Sequence, residues 1–141
     1  MKYLLDTNTC IRFINGRSSS IRARLLTIDD SEIAISTIVQ AEMYAGSAKS
    51  QTPQRSREIQ EEFFQRFVTI PFDARAARIY GDIRGYLERQ GTPIGGNDLL
   101  IAATAIAYDF ILVTHNTREF GRVVGLHIED WETNSGTSTV E

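Results

Sequence analysis

Apolar residues along this chain fall into short runs separated by longer stretches with helical periodicity. The runs at 2–5, 33–36, 68–70, 110–114 and 126–129 read as strands. The stretches at 9–14, 20–26, 37–48, 54–67 and 97–108 read as helices, and Asp73 is placed to cap a long helix that runs to residue 90. Asn15-Gly16 stops the first helix, Pro53 sits where a helix can begin, Pro71 closes the third strand, and 91–96 is turn-rich. Within 54–67 the apolar stripe is Ile59, Phe63 and Phe67. Short apolar strands alternating with helices predict an α/β fold whose central, mainly parallel sheet is covered on both faces. Without a repeat or an internal boundary, residues 1–132 read as one domain. Residues 133–141 have little to bury and read as a flexible tail.

At 141 residues and 15.9 kDa the chain is long enough for one real core. Its 42% hydrophobic and 23% charged residues exclude general disorder. The first apolar run ends at Asp6, too short for a signal peptide, and no later run approaches about 18 residues. No membrane association is expected, and a cytoplasmic location is the default. Cys10 is a single cysteine and cannot form an internal disulfide; it reads as a small buried apolar residue. His115 and His127 are too few for a zinc site. A net charge of −3 gives no support to broad electrostatic binding of nucleic acid. Only Lys2 and Lys49 among the 15 cations are lysines, and arginine suits forked recognition of carboxylate or phosphate.

Ligands of open α/β sheets collect beyond the carboxyl ends of the strands. Asp6 directly follows the first strand, where it can also cap a helix. Glu42 is less easily explained. On a helical wheel with Ile38 at zero it falls at about 40°, among apolar positions, while Gln40 and Ser47 fall on the opposite side at about 180–200°. A carboxylate on an apolar face needs a partner, either an arginine or a metal. Asp98 opens a helix that is apolar nearly all round and therefore buried, although it too could act as a cap, a role Asn97 could fill instead. Asn116 and Glu119 follow the most apolar strand at the spacing of a capping box, and His115 beside them reads as a loop histidine. Carboxylates gathered at one edge repel one another and raise their pKa values unless a cation enters. Oxygen donors with no cysteine and little histidine favour Mg²⁺, with Mn²⁺ as a substitute. Such an ion can activate water against a phosphate.

Four ordered segments carry a family resemblance. Leu4-Leu5-Asp6-Thr7-Asn8 resembles the opening of PIN-domain ribonucleases. So do Ser36-Thr37 with Ala41-Glu42, the 95–102 segment around Asn97-Asp98, and Leu112-Val113-Thr114-His115-Asn116 with Arg118-Glu119-Phe120. The match runs from residue 1 to about Trp131 and is strongest to the VapC toxins of toxin–antitoxin pairs, whose ending Ile128-Glu129-Asp130-Trp131 resembles. The resemblance implies a three-layer α/β/α sandwich and a Mg²⁺-dependent endoribonuclease, with tRNA among the candidate substrates. It implies Asp6 and Asp98 as metal ligands and Glu42 as a third acid. Asn116 stands where many PIN domains have a fourth acid. Either Glu119 supplies that charge or Asn116 only orients water. A homodimer, silencing by a VapB-type antitoxin and inhibition of translation are implied too.

The expected chemistry is hydrolysis by an external water, leaving a 3′-hydroxyl and a 5′-phosphate. Arg12, Arg17 and Arg118 are candidate phosphate contacts because each lies near a motif. Two rivals were weighed. A haloacid-dehalogenase-like phosphatase wants Asp-x-Asp, but Asn8 occupies the second position. A binding domain without turnover draws on the amide at Asn116. Under the nuclease reading the net charge mixes two populations. With Asp6, Glu42, Asp98, Glu119 and the end residues Glu132 and Glu141 set aside, the remaining acids are fewer than the 15 cations.

Overall fold

Leu4 and Leu5 are fully buried in a strand of only three residues, β1 (Tyr3–Leu5), which marks it as the centre of the sheet. In the computed structural model, which describes residues 2–132, β1 is followed by α1 (Thr7–Ile14), α2 (Ser19–Thr27) and a 3₁₀ turn (Asp30–Glu32). Then come β2 (Ile33–Ser36), α3 (Thr37–Ala48), α4 (Pro53–Arg66), β3 (Val68–Ile70) and α5 (Ala74–Gln90). The chain ends through α6 (Gly96–Tyr108), β4 (Ile111–Val113), α7 (Thr117–Phe120) and β5 (Ile128–Glu129). The five strands are parallel in the order β3-β2-β1-β4-β5 and are flanked by helices, as the alternating pattern predicts. The chain winds outward from β1 through β2 to β3, then crosses to the other side of β1 for β4 and β5. This reversal opens a crevice between the carboxyl ends of β1 and β4.

Local chemistry explains most element ends. Asp6, Ser18, Ser36 and Asp73 each accept a hydrogen bond from the backbone N–H three residues on, capping α1, α2, α3 and α5. Pro53 occupies the first turn of α4, and Gly91, at φ 72°, closes α5 in the left-handed conformation a side chain would resist. Helix α6 is buried along almost its whole length, and Thr104 satisfies its buried hydroxyl on the Leu100 carbonyl. Cys10 is fully buried, as expected.

Several expectations need correction. Helix α1 starts two residues earlier than predicted, because Asp6 itself is the cap. Helix α7 and the 3₁₀ turn were not foreseen; both are single turns too short for periodicity to register. In α4, Phe64 joins Phe63 and Phe67 in the core, whereas Ile59 is 37% exposed at the margin. In α3 the buried residues are Val39, Met43 and Ser47. Ser47 was placed on the wet side. It tolerates burial because its hydroxyl bonds the Tyr44 carbonyl. Among the described residues, no helix is long and apolar enough to cross a membrane. The predicted tail, 133–141, lies outside the described residues.

Candidate active site

The crevice receives its first acid from β1. Asp6 N–H donates to the Val113 carbonyl of β4 at 3.0 Å, so the turn after β1 is tied to the neighbouring strand. The Asp6 carboxylate then accepts from Thr9 N–H at 2.9 Å and from the Thr114 hydroxyl, leaving Asp6 only 5% exposed. Burial raises its pKa, the bonds from Thr114 and Thr9 oppose the rise, and the charge of Glu42 adds to it. Thr114 is fully buried and also accepts the Asn116 N–H at 3.0 Å, so one hydroxyl links the end of β4 to Asp6.

Glu42 comes from α3, on the border of the buried face rather than its centre. One carboxylate oxygen accepts from the Thr7 hydroxyl and the other from the Asn97 amide at 2.9 Å. The arginine partner that an ordinary salt bridge would require is not there: among the described residues no ion pair involves Glu42. The two donors bring the first turns of α1 and α6 to the same carboxylate.

Asp98 lies in the first turn of α6, whose N-cap is Gly95 with no side-chain cap bond. Neither of the caps considered from sequence forms, and Asn97 spends its amide on Glu42. Asp98 is half-buried, and its pKa is pushed up to about 6 by desolvation first, then by the charges of Glu119, Asp6 and Glu42. A hydrogen bond with Glu119 adds to the rise, because it favours the protonated carboxyl.

Glu119 therefore joins the acids, and Asn116 does not. The capping box fails because the Asn116 side chain makes no cap bond. Asn116 instead lines a cavity of about 550 Å³ together with Asp6, Asn8, Arg12, His115 and Glu132. His115 is exposed and pairs through Nδ1 with Asp130 at 2.9 Å. Of the three arginines considered as phosphate contacts, only Arg12 reaches the cavity wall. Thr7, Asn97 and Thr114 orient the acids, and of the three only Asn97 carries an expectation from sequence, as a cap. Their signal was present in their position, each beside a motif acid or at the end of a strand.

The donor set suits a hard divalent cation. Asp6, Glu42, Asp98 and Glu119 offer only oxygen, and their mutual repulsion is what a cation would relieve. Among the described residues, no three acidic, histidine or cysteine side chains already converge on one point. Of the acids that act on Asp98, Glu119 acts most strongly.

Comparison with known proteins agrees in extent and in kind. Residues 3–126 match the PIN domain family model. The chain is 42% identical over 131 residues to the tRNA(fMet)-specific endonuclease VapC of Shigella flexneri, covering 93% of this chain and 98% of that protein. It is 41% identical over 133 residues to Ribonuclease VapC2 of Rickettsia felis, covering 94% and 99%. Among solved structures, VapBC2 from Rickettsia felis bound to a promoter DNA fragment superposes with a TM-score of 0.87 at 40% identity, covering 93% of this chain and 99% of that one. VapBC-1 from nontypeable Haemophilus influenzae gives 0.86 at 34% identity, covering 93% and 98%. The strand order, the acids at the crevice and these matches along nearly the whole chain agree, and the chain belongs to the PIN-domain family, among its VapC ribonucleases.

Proposed function

We propose that this protein is the toxin of a VapBC-type toxin–antitoxin pair and that it hydrolyses tRNA in a Mg²⁺-dependent reaction centred on Asp6 and Asp98. The observation that carries this reading is the coupling of Asp98 to Glu119, Asp6 and Glu42 beyond the strand ends. Carboxylates set around one crevice, none of them ion-paired among the described residues, serve the fold poorly and suit a cation. The relative named as specific for tRNA(fMet) makes that tRNA the first substrate to test. Cleaving it would halt translation, and a VapB-type antitoxin would hold the activity in check. A homodimer and the domain limits 1–132 are part of the same reading.

Asp6 and Asp98 would hold the ion, with Mn²⁺ able to replace Mg²⁺. When bound, the ion offsets the carboxylate and phosphate charges and makes a nearby water more acidic. The rest falls to the chain. Thr114 and Thr9 N–H hold the Asp6 carboxylate in one orientation. Glu42, held by Thr7 and Asn97, would orient the attacking water. Glu119, which acts on Asp98, would take a proton from the attacking water, and the departing 3′-oxygen takes one from solvent to become the 3′-hydroxyl. Because the nucleophile is an external water and not the ribose 2′-hydroxyl, the products carry a 3′-hydroxyl and a 5′-phosphate.

Purified protein incubated with a tRNA pool in Mg²⁺ should cut it, and EDTA, Asp6→Asn or Asp98→Asn should each stop the cutting. Full activity in EDTA or in the Asp6→Asn/Asp98→Asn double variant overturns the reading.

A further inference from the structure

The cavity beside Asp6 holds an arginine in its wall that the acid cluster does not explain. Arg12 comes from the last turn of α1 and points its guanidinium at the carboxylate of Glu132, with which it forms an ion pair. The Glu132 side chain is only 10% exposed, whereas that of Arg12 is 43% exposed and faces the cavity. The pairing is one-sided. Arg12 Nε touches Glu132 Oε1, and Glu132 Oε2, shielded from solvent, has no hydrogen-bond partner among the described residues. A guanidinium normally meets a carboxylate or phosphate through two parallel N–H···O bonds. Here a single nitrogen meets a single carboxylate oxygen, and the second oxygen is left over.

The segment carrying Glu132 is anchored just before it. Trp131 is buried, its indole N–H donates to Glu129 at 2.9 Å, and its ring packs edge-on against Tyr3. Glu132 N–H donates to Asp130 at 2.9 Å. Glu132 was grouped from sequence with the charge of the chain's end; the structure makes it part of the cavity wall.

We propose that Arg12 is a binding residue for an RNA backbone phosphate next to the scissile bond, and that Glu132 is its resident counter-ion, which the RNA displaces on binding. The cavity is shared with Asp6, so a phosphate on Arg12 lies on the same strand that reaches the acids. A phosphodiester oxygen pair offers Arg12 the two bonds that Glu132 does not. The displaced carboxylate exchanges a site with an unsatisfied oxygen for water. Arg12 thus acts in binding, and Glu132 lowers affinity for any RNA that cannot supply a phosphate at this position. The proposal rests on the nuclease reading above.

The test is fluorescence anisotropy of a labelled tRNA(fMet) in EDTA, where binding is read without cleavage, alongside cleavage of the same tRNA in Mg²⁺. Arg12→Gln should weaken binding about 5–10-fold and make the slope of log affinity against log salt shallower by about 0.7, the loss of one single-strand phosphate contact. Arg12→Lys should recover part of the loss, since it restores the charge but not the fork. Glu132→Gln should tighten binding about 2–5-fold, and this gain should vanish in the Arg12→Gln background, because the carboxylate acts only through Arg12. Equal binding by wild type and Arg12→Gln overturns the proposal. A Glu132→Gln gain that persists without Arg12 overturns the counter-ion part. Wild type that neither binds nor cuts any tRNA overturns the nuclease reading and this proposal with it, whereas cutting by a wild type whose Arg12→Gln variant binds normally overturns this proposal alone.

Discussion

The first turns of α1 and α6 each deliver an aspartate to the crevice, yet in opposite surroundings. Asp6 is the helix cap, buried among donors: Thr9 N–H and the Thr114 hydroxyl both bond its carboxylate. Asp98 caps nothing, and its strongest neighbours are acids. One aspartate holds up local structure as well as facing the site. The other only raises the energy of the metal-free fold. A carboxylate kept where it destabilises the protein marks a place where function, not folding, dictates the residue.

The largest effect expected from this contrast is on activity, where the two sites should look alike. Asp98→Asn and Asp6→Asn should each reduce tRNA cleavage in Mg²⁺ at least about 100-fold, since a metal clamp supplies several kcal/mol and each 1.4 kcal/mol is tenfold in rate. Thermal melting in EDTA should then separate them. Asp98→Asn and Asp98→Ala should both melt a few degrees above wild type, because either removes the repulsion. At position 6 the alanine variant should melt below the asparagine variant by on the order of 4 °C, the loss of a cap bond worth about 1 kcal/mol. Equal melting of Asp6→Ala and Asp6→Asn would break the comparison.

Asp98 also gives the metal-free protein a pH signature. Its folded pKa of about 6 lies above the ordinary 3.8, so between those values the folded state holds more protons than the unfolded chain. Stability from this group is therefore full below pH 3.8 and is lost as pH rises to about 6. In EDTA, wild type should lose melting temperature over that window relative to Asp98→Asn, and saturating Mg²⁺ at pH 7.5 should restore it in wild type but not in the variant. The smallest effect is expected at Asn116. It lines the cavity and not the acid pair, so Asn116→Ala should lower cleavage only about 10-fold or less. A loss as large as that of Asp98→Asn would move Asn116 into the centre of the site.

Much of this was legible in the residues, for definable reasons. Strand 33–36 and the helix capped by Asp73 appear with the expected limits because a continuous apolar run and a side-chain cap are local signals. The burial of α6 followed from a helix with no polar face. Helix α3 shows where local signals end. It carries apolar residues on more than one flank, so its wheel offered two directions for burial, and packing against α4 and α1 selected Val39, Met43 and Ser47. Glu42 reached the crevice nonetheless, from the edge of that face.

By itself the sequence determined the order of strands and helices, and hence that Asp6, Glu42, Asp98 and Glu119 arrive near strand ends as an oxygen-only donor set. Those properties depend on periodicity and residue type, which act over a few positions. The tertiary structure alone decided who meets whom. It set Asp98 against Glu119, fastened Glu42 to Thr7 and Asn97, left Asn116 out of the acid group, and brought Glu132 back to Arg12. These contacts join residues far apart in the chain, and their partners are chosen by the strand order β3-β2-β1-β4-β5 and by close packing, which no short stretch of sequence encodes.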